Sequence, residues 1–236
     1  MGKDSFTFKQ FVVHQEHCAM KVGTDGTLLG AWADLERQDG RVLDIGTGTG
    51  LMALMMAQRF PKAWVTAIDI DEMAVFQAAD NVKGSMFADR IKVVLADVNA
   101  FEPAELFDAI VCNPPFFNHA LTCPDQHRTQ ARHTTSLSYR QLMAAAYRLL
   151  DDEGLFSLII PNDFFSQMES EAHLAGFFVT RMYGVRTVER KPVRRYLIEL
   201  AKHPCNELVK KDVLIEESPN VRSEWYRELT KDFYIK

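Results

Sequence analysis

Residues 41–59 read RVLDIGTGTGLMALMMAQR, and this stretch decides the fold. Arg41 to Ile45 is a buried strand carrying one carboxylate, Asp44. Gly46, Gly48 and Gly50 follow at alternate positions, and the run from Leu51 to Arg59 predicts a helix closed by Phe60-Pro61. A strand that enters a glycine-rich turn and leaves as a helix presents unpaired N–H groups where backbone can approach a ligand closely. The dinucleotide fingerprint G-x-G-x-x-G needs a glycine at position 51, where Leu51 stands; the third glycine is Gly50. Asp44 would also repel a pyrophosphate, so a ligand bearing an ammonium group or hydroxyls suits the turn better. A plain strand–helix turn requires neither three glycines nor that aspartate.

Outward from this unit the same alternation continues. Residues 63–69 (AWVTAID) predict a second strand, and Asp71 to Lys83 a helix stopped by Gly84. Residues 91–97 (IKVVLAD) and 106–112 (LFDAIVC) predict a third and a fourth strand. All are apolar nearly throughout, as expected of parallel strands covered on both faces. Downstream come a helix over 137–150, a strand over 154–161 and a helix over 164–174. Residues 177–185 and 193–202 predict a closing strand pair joined by a basic stretch, and 212–216 and 223–233 a last strand and helix. Upstream, Phe6, Phe8, Phe11 and Val13 predict a strand or hairpin, and residues 24–34 a short helix begun at Thr24 or Asp25. The fold class is α/β: a doubly wound, Rossmann-like sheet, mostly parallel with an antiparallel closing strand. One domain is expected over 1–236, with an N-terminal strand and helix extension (1–34), a core (35–202) and a C-terminal strand and helix (203–236).

The 236 residues carry a net charge of −5, with 25% charged and 47% hydrophobic side chains, which excludes wholesale disorder and a binder held on nucleic acid by bulk charge. Cys18, Cys112, Cys123 and Cys205 are far apart, giving no zinc spacing and no disulfide framework. MGKDSFTFKQ is no signal peptide, Phe6 stands where myristoylation needs Ser or Thr, and no apolar run spans a bilayer. A soluble cytoplasmic monomer without a membrane partner is expected.

Three more positions carry chemistry. Asp69 and Asp97 end the second and third strands, at the carboxyl edge where open α/β sheets bind ligands. The fourth strand runs into Asn113-Pro114-Pro115-Phe116. Two prolines remove two backbone donors and leave carbonyls that only accept, and the Asn side-chain oxygen accepts too. Two convergent acceptors suit an exocyclic –NH2 group, and Phe116 offers a flat face for stacking a ring.

With these residues together, the chain resembles the class I S-adenosylmethionine-dependent methyltransferases, and N-P-P-F looks like the catalytic motif of their amino-methylating branch. The upstream K-V-G-T-D-G-T-L-L (21–29) is similar to the bacterial tRNA (adenine-37 N6)-methyltransferase family, which acts on valine tRNA beside the anticodon. The resemblance implies S-adenosyl-L-methionine as cofactor, S-adenosyl-L-homocysteine as product and tRNA as partner. It implies that Asp44, Gly46, Thr47, Gly48 and Gly50 serve the methionine end, with Lys21, Val22, Gly23 and Thr24 closing over it. Asp69 would hold the ribose hydroxyls with Ile70 against the adenine, and Asp97 and Val98 would take the adenine edge. Asn113, Pro114, Pro115 and Phe116 would be catalytic.

An adenine amine is a poor nucleophile because its lone pair is delocalised into the ring. Hydrogen bonds to Asn113 Oδ1 and the Pro114 carbonyl would turn it towards tetrahedral geometry and free that pair; orientation and electrostatics then supply much of the acceleration. The proton can leave after transfer, so no strong base is needed. Positive charge is local: residues 117–150 hold four basic and one acidic side chain, and 181–202 seven basic and two acidic. Arg128, Arg132 and His133 in the first and Arg186, Arg190, Lys191, Arg194 and Arg195 in the second are expected to hold RNA phosphates. No metal is expected, since no carboxylate or thiol sits at ligand spacing among the histidines that follow N-P-P-F. The same two acceptors would serve a guanine-N2 amine of ribosomal RNA or a glutamine amide of a release factor. A cofactor-binding module without catalysis would have no use for them.

Overall fold

A computed structural model describes residues 4–18, 21–114 and 137–235. Its first elements are a small hairpin of β1 (Ser5–Thr7) and β2 (Val12–His14), paired antiparallel, and helix α1 (Thr24–Trp32). The alternating unit follows as β3 (Arg41–Ile45), α2 (Leu51–Arg59), β4 (Trp64–Asp69), α3 (Glu72–Lys83), β5 (Ile91–Leu95) and β6 (Phe107–Cys112). After the undescribed segment come α4 (Tyr139–Leu149), β7 (Leu150–Pro161), α5 (Phe165–Ala175), β8 (Phe178–Arg186) and β9 (Arg195–Ala201). The chain closes with β10 (Val209–Leu214), a two-stranded sheet of β11 (Glu216–Ser218) and β12 (Val221–Arg222), and α6 (Glu224–Thr230).

One eight-stranded sheet, in the order β10-β8-β9-β7-β6-β3-β4-β5, organises these elements. β9 is antiparallel to both its neighbours and every other pair is parallel. Side chains alternate between two buried layers, as the twofold period of a strand requires. Val42, Ala109, Val111 and Ile159 join Leu28, Trp32, Leu54 and Met55 of α1 and α2 on one face. Leu43, Ile45, Ile110 and Leu158 join Leu142, Met143, Leu149 and Met168 of α4 and α5 on the other.

Local signals explain the element ends. Asp71 caps α3 by accepting from the Met73 N–H, and Gly84 follows its last residue. α4 opens on a capping box, with Ser138 and Gln141 each satisfying the other's backbone N–H. Three expectations shift. β5 stops at Leu95, so Asp97 lies in the loop beyond it, where its Oδ1 accepts from both the backbone and the side chain of Asn99. β7 begins at Leu150, four residues before the expected Gly154, because Phe107 of β6 pairs with Leu150 across a register irregularity. α1 starts on Gly23 without a side-chain cap.

Candidate functional site

β3, β4, β5 and β6 all point their carboxyl ends at one cavity of about 580 Å³, and α1 and β9 complete its wall. That volume is in the range of small-molecule and cofactor sites. The turn after β3 forms its floor. Gly46, Gly48 and Gly50 have φ of 69°, 55° and 81°, in the left-handed region. A Cβ built on Gly46 or Gly48 meets nothing within 4 Å, so these positions leave backbone open to whatever occupies the cavity.

The turn is fixed from beneath. Asp44 is fully buried; its Oδ2 accepts from Thr47 Oγ1 at 2.6 Å and from the Ala53 N–H at 3.1 Å. Gly50, the residue before α2, has no side chain to cap that helix, so the strand aspartate satisfies one of its orphan amides instead. Burial pushes the Asp44 carboxyl up to about 7, against the pull of those two hydrogen bonds. Asp44 and Gly50 were expected to face the cofactor, yet neither lines the cavity. The strand alternation turns Asp44 under the turn towards α2, and Gly50 backs onto Ala78 of α3.

Asp69, at the end of β4, accepts from the Gly48 N–H at 2.9 Å and the Asp71 N–H at 3.0 Å, which aims the carboxylate along the cavity edge. Ile70 beside it is 54% exposed, an apolar surface left open at the rim. Asp97, Val98 and Asn99 line the neighbouring side. At the end of β6, Asn113 Oδ1 is buried in this cavity and accepts no hydrogen bond among the described residues. Pro114 is buried next to it. Pro115 and Phe116, and with them Arg128, Arg132 and His133, lie outside the described residues.

Lys21, Val22, Gly23 and Thr24 line the cavity, as do Gly46, Thr47 and Gly48. What carries the 21–24 segment there is a tether that sequence reasoning missed. Gln77 and Asn81, one turn apart on α3, are both buried. Asn81 binds the His14 N–H, the His14 carbonyl and the Thr49 carbonyl, and Gln77 accepts from the His17 N–H. Gln15 Oε1 then accepts from the Val22 N–H at 2.7 Å. Two amides at i and i+4 on a helix face that is otherwise apolar are the signal that could have revealed it.

The basic residues separate into two groups. Arg190, Lys191 and Arg194 are exposed in the loop between β8 and β9. Arg186 pairs instead with Asp212 of β10 at 2.6 Å. Arg195 lines the cavity, with its Nε 2.7 Å from Asp25 Oδ1 of α1, a charge contact whose angle makes no hydrogen bond. Burial pushes both cavity thiols up, Cys18 to about 11 and Cys112 well above the ordinary thiol range, which disfavours the thiolate form of each. Among the described residues, one group of metal-ligating side chains clusters, Asp152, Glu153 and His203. It is exposed, and lies at the opposite end of β7 from the cavity.

A parallel sheet with one reversed strand, a glycine turn after its first core strand and Asn-Pro-Pro after the fourth define a methyltransferase of class I. The family model for the methyltransferase small domain matches residues 24–180. A predicted O-methyltransferase from Agrobacterium tumefaciens superimposes with a TM-score of 0.72 at 18% identity, covering 89% of this chain and 96% of that one. A glycopeptide N-methyltransferase complexed with S-adenosylmethionine superimposes at 0.56 and 15% identity, covering 78% and 89%. Closer in sequence are tRNA1(Val) (adenine(37)-N6)-methyltransferases. That of Bacteroides thetaiotaomicron is 44% identical over 237 residues, covering 100% of this chain and 99% of its own length. That of Vibrio campbellii is 41% identical, covering 98% and 95%. The chain belongs to the tRNA1(Val) (adenine(37)-N6)-methyltransferase family.

Proposed function

We propose that this chain, as a single domain, methylates the N6 amine of adenine 37 in valine tRNA. The observation that carries the chemistry is the buried Asn113 Oδ1 in the cavity, which has no hydrogen-bond partner among the described residues. A buried acceptor without a donor costs about 1–3 kcal/mol, and an incoming amine N–H removes that cost. The full-length relatives named for adenine 37 supply the choice among amines.

The residues present fit S-adenosylmethionine. Open glycine backbone at 46 and 48, a carboxylate at Asp69 for vicinal hydroxyls, apolar Ile70 and Val98 for a flat ring, and Asp97 for an exocyclic amine border one cavity. When bound, the cofactor supplies an electrophilic methyl group on a sulfonium. Lys21 to Thr24 would cover the methionine end. Asn113 Oδ1 and the Pro114 carbonyl would accept hydrogen bonds from the two amine N–H groups, hold the nitrogen out of conjugation and aim its lone pair, a contribution of position and preorganised dipoles. Phe116 keeps the stacking role its motif implies for a base drawn from the anticodon loop, where unstacking is cheap. No metal enters this scheme, and the cavity serves one chain acting as a monomer.

The test is methylation of purified tRNA followed by nucleoside mass spectrometry. N6-methyladenosine at position 37 of valine tRNA is the expected product. N2-methylguanosine in ribosomal RNA, or methylglutamine in a release factor, with tRNA unmodified, would overturn the reading.

A further inference from the structure

The Asp25–Arg195 pair is not explained by the cofactor. Arg195 opens β9 in register with Pro161, the last residue of β7, and β7 in turn neighbours β6, whose last residue, Cys112, pairs with Leu158 and precedes Asn113. Arg195 therefore stands two strands across and two residues further along the sheet from Asn113, roughly 12 Å at the usual strand spacing and rise. Asp69 ends β4 and Asp97 follows β5, on the opposite flank of Asn113. The cavity has a carboxylate-lined side and, across the proposed catalytic residue, a side that carries one guanidinium.

That guanidinium is held but not used up. Asp25 contacts its Nε, and among the described residues nothing binds its two Nη groups. The Arg195 side chain keeps 28% of its surface exposed and Asp25 keeps 17%, so the acid is the more enclosed partner. An arginine fixed through Nε presents its Nη pair as a planar fork that matches an anion's oxygens. Arg194, exposed and adjacent, continues the positive charge outward to Arg190 and Lys191.

We propose that Asp25 and Arg195 form a positioning unit for the target nucleotide, in which Arg195 takes a phosphate flanking the adenosine and Asp25 fixes the guanidinium for it. This rests on the proposed methylation of an adenine in RNA. It separates Arg195 from the loop residues: they gather RNA, and Arg195 sets the depth to which one nucleotide enters. The unit is set apart from Asp69 and Asp97 by its position across Asn113 and by the guanidinium it carries.

The experiment uses an anticodon stem-loop that the wild type methylates, and the same RNA with a neutral methylphosphonate at the linkage 5′ or 3′ of the target adenosine. Arg195→Gln keeps a polar N–H near the position of Nε and removes the charge; Asp25→Asn keeps the shape and removes the charge contact. Arg195→Gln is expected to raise KM for the RNA at least about tenfold, with S-adenosylhomocysteine affinity within about twofold of wild type. One methylphosphonate should cost the wild type a similar factor and cost Arg195→Gln almost nothing more, the non-additivity of a direct contact. Asp25→Asn should raise KM by a smaller factor and be partly insensitive to the same linkage. Equal losses for wild type and Arg195→Gln at both linkages would overturn the proposal, as would a weakened S-adenosylhomocysteine affinity that accounts for the change. If the wild type fails to methylate the RNA at all, the functional reading fails first, which is a separate result.

Discussion

Truncating Asn113 to alanine should make the protein more stable and nearly inactive. Asn113 Oδ1 is buried and accepts nothing among the described residues, so the folded state bears a desolvation cost that the unfolded chain, in water, does not. That cost is about 1–3 kcal/mol for a neutral acceptor, and losing the contacts of a short side chain at a cavity wall offsets part of it. A net gain of about 1 kcal/mol corresponds to a rise of roughly 2–4 °C in Tm for a chain of this size. The same change deletes one of the two acceptors that would hold the amine, and removing one such preorganised group typically lowers kcat by about 10²–10³. Thermal unfolding without ligands gives the first quantity; single-turnover methyl transfer at saturating cofactor gives the second. S-adenosylhomocysteine should bind the variant as it binds the wild type. A Tm lowered by several degrees together with turnover within about tenfold of wild type would refute the reasoning, because Oδ1 would then be a structural acceptor and not one that waits for substrate.

Four further outcomes follow from the same geometry. Asp44, raised to about 7 by burial against an ordinary 3.8, holds a proton in the folded state across a pH interval where the unfolded chain has lost it. Its contribution to stability therefore falls as pH rises from about 4 to about 7 and is level above that; Asp44→Asn should abolish this component in urea unfolding measured across the interval. Asn81→Ala removes three hydrogen bonds that join α3 to His14 and Thr49, and should cost about 2–4 kcal/mol by denaturant unfolding while weakening S-adenosylhomocysteine. Gly48→Ala puts a side chain at a φ of 55° with its Cβ in open cavity; about 1–2 kcal/mol of stability and at least about tenfold in S-adenosylhomocysteine affinity by calorimetry should be lost. Reversing Arg190, Lys191 and Arg194 to Glu should abolish tRNA binding in a filter assay and leave S-adenosylhomocysteine affinity intact, whereas unchanged tRNA binding would reject the loop as an RNA contact.

The parallel half of the fold was legible because its signals are local. Apolar runs, the glycine turn, Asp71 before α3 and Gly84 after it each act within a few residues, and the structure places those elements accordingly. The strand-end residues Asp69 and Asn113 were legible for the same reason: a strand's carboxyl end fixes where they go. Asp44 was misplaced because a one-residue step along a strand reverses the face, and no neighbouring residue indicates which face meets α2. Arg195 was grouped with Arg190, Lys191 and Arg194 as an RNA contact, and a single chain does not show that the strand begins at Arg195 and carries it into the cavity. Its partner Asp25 is 170 positions away, and a pair so distant has no signature in a single chain. The partners of the Asn81 tether, His14 and Thr49, were hidden likewise, since they belong to distant segments; only the amide pair at 77 and 81 is visible in the sequence.

β9 alone runs against the other strands of the eight-stranded sheet, and the reversal has a consequence for how such an enzyme can diverge. Each parallel neighbour is reached by a crossover whose helix packs against the sheet. The turn from β8 into β9 is reached by a direct hairpin, and it opens on the same edge of the sheet. It can lengthen, change charge or change shape without rethreading any crossover. Variation there leaves the donor side of the cavity as it is, so a new acceptor can be adopted by inheritance of one half of the crevice and replacement of the other.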